Sequence, residues 1–153
     1  ISLIEACSFS GLFCGFYSLF GETYMHTPIT AFYAGLLGIL FFYFSVLVVK
    51  GRFSKKISLG DGGDHHFQQV IRAHGNFTDY TPIVLILLLI GEVNLSPPIV
   101  LHLTGTVLLS GRFLHAFGLR RHSGSSWQRV SGILLTFAAL ITLSVMNILI
   151  LYR

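Results

Sequence analysis

Arg72-Ala73-His74-Gly75-Asn76-Phe77-Thr78-Asp79-Tyr80-Thr81-Pro82 leads directly into Ile83-Val84-Leu85-Ile86-Leu87-Leu88-Leu89-Ile90. An arginine, an asparagine and an aspartate recur at i, i+4 and i+7, and eight aliphatic residues follow the motif without a break. At 3.6 residues per turn those three polar side chains share one helix face. A segment this apolar belongs in a bilayer, where ionisable groups do not face lipid unpaired. They turn to a bundle interior or a water-filled cavity, and there they mark function.

Working outward, the whole chain fits that setting. Its 153 residues are 53% hydrophobic and only 10% charged, with mean hydropathy +0.75. A soluble domain carries about 25% charge, so the expected class is an all-α integral membrane protein. The length suits one up-down bundle of four spanning helices at roughly 20 residues each. The net charge of +4 sits beside apolar runs rather than on a soluble surface, so it orients the protein in the bilayer and nucleic acid is not an expected partner. Cys7 and Cys14 are i, i+7 on a helix, about 10 Å apart, too far for a disulfide. No Cys–His spacing suits a metal, and no Gly-rich phosphate loop follows a strand. His65 and His66 point about 100° apart on a helix and read as solvated helix-start residues.

The expected spans are residues 29–49, 64–92, 98–119 and 130–152, within a domain of residues 25–153. Pro28 stands at a helix start, where its missing N–H costs nothing. Gly60-Asp61-Gly62-Gly63 is a turn signal, and Asp64 is the expected N-cap of helix 2. Pro82 is expected to kink that helix by removing a backbone hydrogen bond. Gly105, Gly111 and Gly132, with Ser110, suit close helix packing. Trp127 and Tyr152 suit the membrane interface. Residues 1–24 carry Glu5 but no Lys or Arg, which argues against a secretory leader. They read either as an extension or as a short extra membrane-associated helix.

Basic residues set the orientation. Lys50, Arg52, Lys55 and Lys56 fall in loop 1–2, Arg120, Arg121 and Arg129 flank loop 3–4, and loop 2–3 has none. Loops 1–2 and 3–4 are therefore expected in the cytoplasm. The polar face of helix 2 (His65, Gln68, Arg72, Asn76, Asp79), Arg112 with His115 on helix 3, and Arg129 on helix 4 converge at that end. Three guanidiniums cannot shed their protons, and an anion with carboxylates relieves them by bidentate pairing. The plainer reading is an Arg72–Asp79 ion pair, an Arg112 reaching for the interface and an Arg129 that only sets topology.

The motif from Arg72 to Pro82 resembles the signature of the MAPEG family, membrane-associated proteins in eicosanoid and glutathione metabolism. Gly111-Arg112 and Arg129 fall where that family carries further basic residues, and the Gly60-to-Gly63 loop with Gly111-Arg112-Phe113-Leu114-His115 is most similar to its short bacterial inner-membrane branch. The resemblance spans about residues 28–152. It implies a homotrimer in the bacterial inner membrane that binds glutathione as co-substrate between subunits near the cytoplasmic side. It assigns glutathione contacts to Arg72, Asn76, Asp79, Tyr80 and Arg112, and thiol activation to Arg129. Lys50 or Arg52 answers loosely to a basic ligand at the end of helix 1. Gly75 stands where some members carry another arginine, Asp79 replaces a commoner glutamate, and Leu119 stands where a helix-3 tyrosine is expected.

A cysteine thiol titrates near 8.5 and is mostly protonated in neutral water. A fixed guanidinium beside the sulfur favours the thiolate, which can attack a lipophilic electrophile or hydroperoxide admitted from the bilayer. The expected function is thus a membrane glutathione transferase or peroxidase. The alternative is a non-catalytic membrane protein of the same fold that binds lipid or a partner, a reading that the missing helix-3 tyrosine favours. A small transporter would need flux dependent on Arg72 or Asp79.

Overall fold

The computed structural model describes residues 26–121, with the side chain of Arg121 excepted, and 126–152. The readings of residues 1–24 and of the two cysteines lie outside them, as does the middle of loop 3–4. Among the described residues four helices follow one another: α1 (Pro28–Lys55), α2 (His65–Val93), α3 (Pro98–Arg121) and α4 (Trp127–Leu149), closed by a 3-10 turn at Ile150–Tyr152. All four are long and apolar enough to cross a membrane.

α1 opens on Pro28 as expected but runs six residues past the apolar stretch, to Lys55. Nothing between Lys50 and Lys55 breaks a helix, and Arg52 and Lys55 in its last turn complement the negative end of the dipole. Lys56 then turns left-handed at φ 54° and ends it. The loop that follows has positive φ at Gly60, Gly62 and Gly63, which glycine adopts without a Cβ penalty. Asp64 caps α2 as the sequence implies, its Oδ1 accepting from the Phe67 N–H at 2.8 Å and its other oxygen pairing with Lys55.

α2 continues through Pro82 as one helix to Val93. Near its end the buried Glu92 accepts the backbone N–H groups of Ile29 and Thr30, both at 2.7 Å. Thr27 gives α1 no side-chain cap, so a carboxylate 62 residues away in sequence satisfies its first turn. At the opposite end of α1, Gly51 faces the Phe67 ring, where a Cβ would stand 2.3 Å away.

Leu37, Phe44, Phe77, Leu88, Leu101, Leu108 and Leu143 form the buried core. Ile39, Phe42, Ile86, Leu103 and Ile141 are exposed on the outside, the inside-out pattern that a lipid surround permits. With lipid as apolar as leucine, close backbone approach has to hold the helices. Gly132 supplies it: a Cβ there would lie 2.5 Å from the His115 N and 2.7 Å from the Gly111 carbonyl. Gly105 admits the Tyr33 ring in the same way, and the Tyr33 hydroxyl bonds the His102 carbonyl at 2.9 Å and Thr106 at 2.8 Å. Ser110 departs from its expected role. It faces outward, exposed beside Phe113, rather than lying between packed helices.

Candidate functional site

The sequence spacing that puts Arg72, Asn76 and Asp79 on one face of α2 also aims them into one cavity of about 460 Å³. His115 and Leu119 of α3 and Arg129 and Ile133 of α4 complete its lining. Arg72 and Asp79 are exposed on this isolated chain, and no ion pair joins them. The plainer expectation of an Arg72–Asp79 pair is therefore not what this chain forms.

Arg112 sits elsewhere. It is 2% exposed and does not line the cavity, so it does not reach for the interface either. Its Nη1 donates to the Asn76 carbonyl at 3.1 Å and to Asn76 Oδ1 at 2.9 Å. Its Nε and Nη2 donate to Thr136 Oγ1 at 3.0 and 2.6 Å. Thr136 in turn donates to the Gly132 carbonyl at 2.9 Å, which uses up its one hydrogen. A guanidinium has no acceptor, so Arg112 fixes the Asn76 amide with its oxygen inward. The Asn76 Nδ2 keeps both hydrogens without a bonded partner among the described residues, on a side chain that lines the cavity. No carboxylate pairs with Arg112 among the described residues. Neutral acceptors and the face of Tyr80, 5.5 Å from the guanidinium carbon, spread its charge.

Tyr80 is likewise off the cavity, its ring 5.7 Å from that of Phe137. Of the residues expected to gather, Arg72, Asn76, Asp79, His115 and Arg129 line the cavity, and His65 and Gln68 do not. Neither Arg112 nor Tyr80 lines it: Arg112 meets it through Asn76, and Tyr80 lies against Arg112. Lys50 and Arg52 are not part of it.

Thr136 is the residue of this arrangement that the sequence reading left out, and His115 takes the place expected of it. His115 is buried, and its Nδ1 lies 3.0 Å from the Arg129 carbonyl. A carbonyl only accepts, so Nδ1 carries the hydrogen. Gly118 sets the position of Arg129, since a Cβ there would stand 2.9 Å from the Arg129 N and 3.0 Å from its Cγ. Thr136 carried a signal, being i+7 from Arg129 and i+4 from Gly132 on one face of α4. A lone threonine in an apolar run is ordinary, and only Arg112 beneath it gives it meaning. His74, although inside the motif, packs between helices: it meets Ser45 of α1 at 3.1 Å and lies against the Phe41 ring.

The sequence profile of the MAPEG family matches residues 30–149, which include all four helices' inward faces and every residue of the cavity. The inner membrane protein YecN of Escherichia coli K12 is 38% identical over 120 residues, covering 78% of this chain and 90% of that protein. The YecN protein of Escherichia coli O6:H1 matches to the same extent. With the Arg72-to-Pro82 motif, the four apolar helices and this match, the chain belongs to the MAPEG family.

Proposed function

We propose that this chain is one subunit of a homotrimeric, up-down bundle in the bacterial inner membrane. In this reading it uses glutathione as co-substrate to conjugate lipophilic electrophiles or reduce lipophilic hydroperoxides. The observation that carries the reading is the cavity lined by Arg72, Asn76, Asp79 and Arg129. Two guanidiniums against one carboxylate make its lining net positive, and glutathione brings two carboxylates and one ammonium. Arg72 and Arg129 suit the carboxylates and the sulfur, Asp79 the ammonium, and the Asn76 Nδ2 a peptide carbonyl.

The electrostatics have the required size. A unit charge at about 4 Å in an effective dielectric of about 20 contributes roughly 4 kcal/mol. At about 1.4 kcal/mol per pKa unit, a third of that brings a thiol from about 8.5 to near neutrality. The Arg129 guanidinium is the group that would stabilise the thiolate. In conjugation the sulfur lone pair forms the new C–S bond while the leaving group departs with its electron pair. In peroxide reduction the sulfur attacks the distal oxygen, the O–O bond breaks and the alkoxide takes a proton. A second glutathione then converts the sulfenic acid to disulfide, releasing water.

Exposure of Arg72 and Asp79 on a membrane-crossing helix supports the trimer, because a neighbouring subunit would cover the face that lipid cannot. Contacts of Glu92 with Ile29, of Gly51 with Phe67 and of Gly118 with Arg129 support the up-down order. Titration calorimetry with reduced glutathione, with thiolate absorbance near 240 nm, tests the reading. Wild type should bind and ionise glutathione. Arg129→Ala should keep binding within a few-fold but lose about 100-fold or more in turnover, the usual scale for one transition-state charge contact. Absence of binding, or full turnover in Arg129→Ala, would count decisively against it.

Leu119 favours a second reading. It lines the cavity where the family's tyrosine hydroxyl is expected, so no phenol meets the sulfur there. A non-catalytic protein that binds a lipid or a partner would bind its ligand without regard to glutathione. Lipid or partner binding unaffected by Arg129→Ala would select it.

A further inference from the structure

On the outer side of the molecule, away from the cavity just described, α1 and α3 leave an apolar groove of about 720 Å³. Leu36, Leu40 and Tyr43 form one wall and Leu109, Ser110 and Phe113 the other. Arg120 stands at its Tyr43 end. Its Nη1 donates to the Tyr43 hydroxyl at 3.0 Å, and its guanidinium carbon lies 5.8 Å from the centre of that ring. Its Nε is buried and has no hydrogen-bond partner. No carboxylate pairs with Arg120 among the described residues, and its side chain is only half-buried, so the guanidinium charge at the groove mouth is open to an anionic partner.

Length identifies the occupant. From Leu109 to Arg120 α3 rises about 16 Å at 1.5 Å per residue. Half of a hydrocarbon core is about 15 Å. A chain lying in the groove from the bilayer midplane therefore brings its headgroup to Arg120. A free inorganic anion would leave the apolar walls unused, and a lipid of zero net charge would leave the Arg120 charge uncompensated.

We propose that the α1–α3 groove is a binding site for an anionic phospholipid of the surrounding bilayer, one acyl chain against Leu40 and Phe113 and its phosphate on Arg120. Tyr43 is the positioning residue: its hydroxyl and ring hold the guanidinium at the groove mouth instead of letting it extend into water. The site does not depend on glutathione.

Native mass spectrometry of the assembly, released from nanodiscs of equal phosphatidylglycerol and phosphatidylcholine, tests it. Wild type should retain phosphatidylglycerol at least five-fold over phosphatidylcholine. Arg120→Gln should bring that ratio to near one while leaving the assembly mass unchanged. Ser110→Phe, which fills the groove from an exposed position, should lower retention of both lipids. Lys50→Gln with Lys56→Gln, basic residues outside the groove, should keep the preference. No preference in wild type, a preference surviving Arg120→Gln, or one abolished by the lysine pair would overturn the proposal. So would a changed assembly mass with unaltered lipid retention in Ser110→Phe, which would mean that another copy of the chain fills the groove. Inorganic phosphate at millimolar concentration should not displace the retained lipid; displacement would equally overturn it.

Discussion

At the level of single residues, Arg72 and Arg112 have the same side chain and different work. Arg112 is buried with four donated hydrogen bonds, to Asn76 and Thr136, whereas Arg72 is exposed at the cavity rim. Removing Arg112 leaves the Asn76 and Thr136 acceptors without their donors, at about 1–3 kcal/mol for each buried group left unmatched. Arg112→Ala should thus cost about 2–4 kcal/mol of stability in thermal unfolding in detergent. Arg72→Ala should change stability by no more than about 0.5 kcal/mol, as exposed substitutions do, yet weaken glutathione binding at least ten-fold. Equal destabilisation by the two would contradict this division. The sequence marks both arginines as one class, because spacing tells which face a residue shares but not how deep its neighbours bury it.

At the level of helices, the junctions carry the specificity. α3 and α4 touch through backbone at Gly111 and Gly132, so Gly132→Ala has no flexible side chain to displace. Its Cβ would meet the His115 N and the Gly111 carbonyl, and the helices must part. The expected cost is about 1–3 kcal/mol, visible in thermal unfolding. Loss of Arg129 turnover should accompany it, since His115 and Arg129 belong to the same contact. The α1–α2 junction responds to acid instead. Its pairing with Lys55, helped by the Phe67 N–H, holds the Asp64 carboxyl well below its ordinary value of 3.8, at about 2. A carboxylate with a depressed folded pKa contributes its stabilisation fully above its unfolded value. It loses that contribution as pH falls through the folded one. Protection of the Phe67 amide, its exchange rate compared with that of an unstructured chain at the same pH, should therefore be high above pH 4 and fall between pH 4 and pH 2. Asp64→Asn should remove this step. A step outside that window would refute the assignment.

For the molecule as a whole, the decisive quantities are the number of subunits and the side of the membrane. Native mass spectrometry should give three times the 16.9 kDa subunit; a monomer that still binds glutathione would refute the trimeric reading. Orientation can be read from single cysteines in a Cys7→Ser, Cys14→Ser background. An impermeant maleimide added to intact cells should label Asn94→Cys in loop 2–3 and leave Ser58→Cys in loop 1–2 unlabelled until the cells are opened. The reverse pattern would invert the placement that Lys50, Arg52, Lys55 and Lys56 imply.

Periodicity and composition determined by themselves the four apolar helices, the Asp64 cap and the shared face of Arg72, Asn76 and Asp79, because each depends on chain neighbours within a turn or two. The family was legible for the same reason, its motif being a run of eleven residues from Arg72 to Pro82. Only the tertiary structure decided that Arg112 is withdrawn behind Asn76, that Thr136 clamps it, that Glu92 caps α1, and that Arg120 closes a groove between α1 and α3. Those relations join residues from 24 to 77 positions apart. What settles them is how closely glycines let the helices approach, which no local spacing encodes.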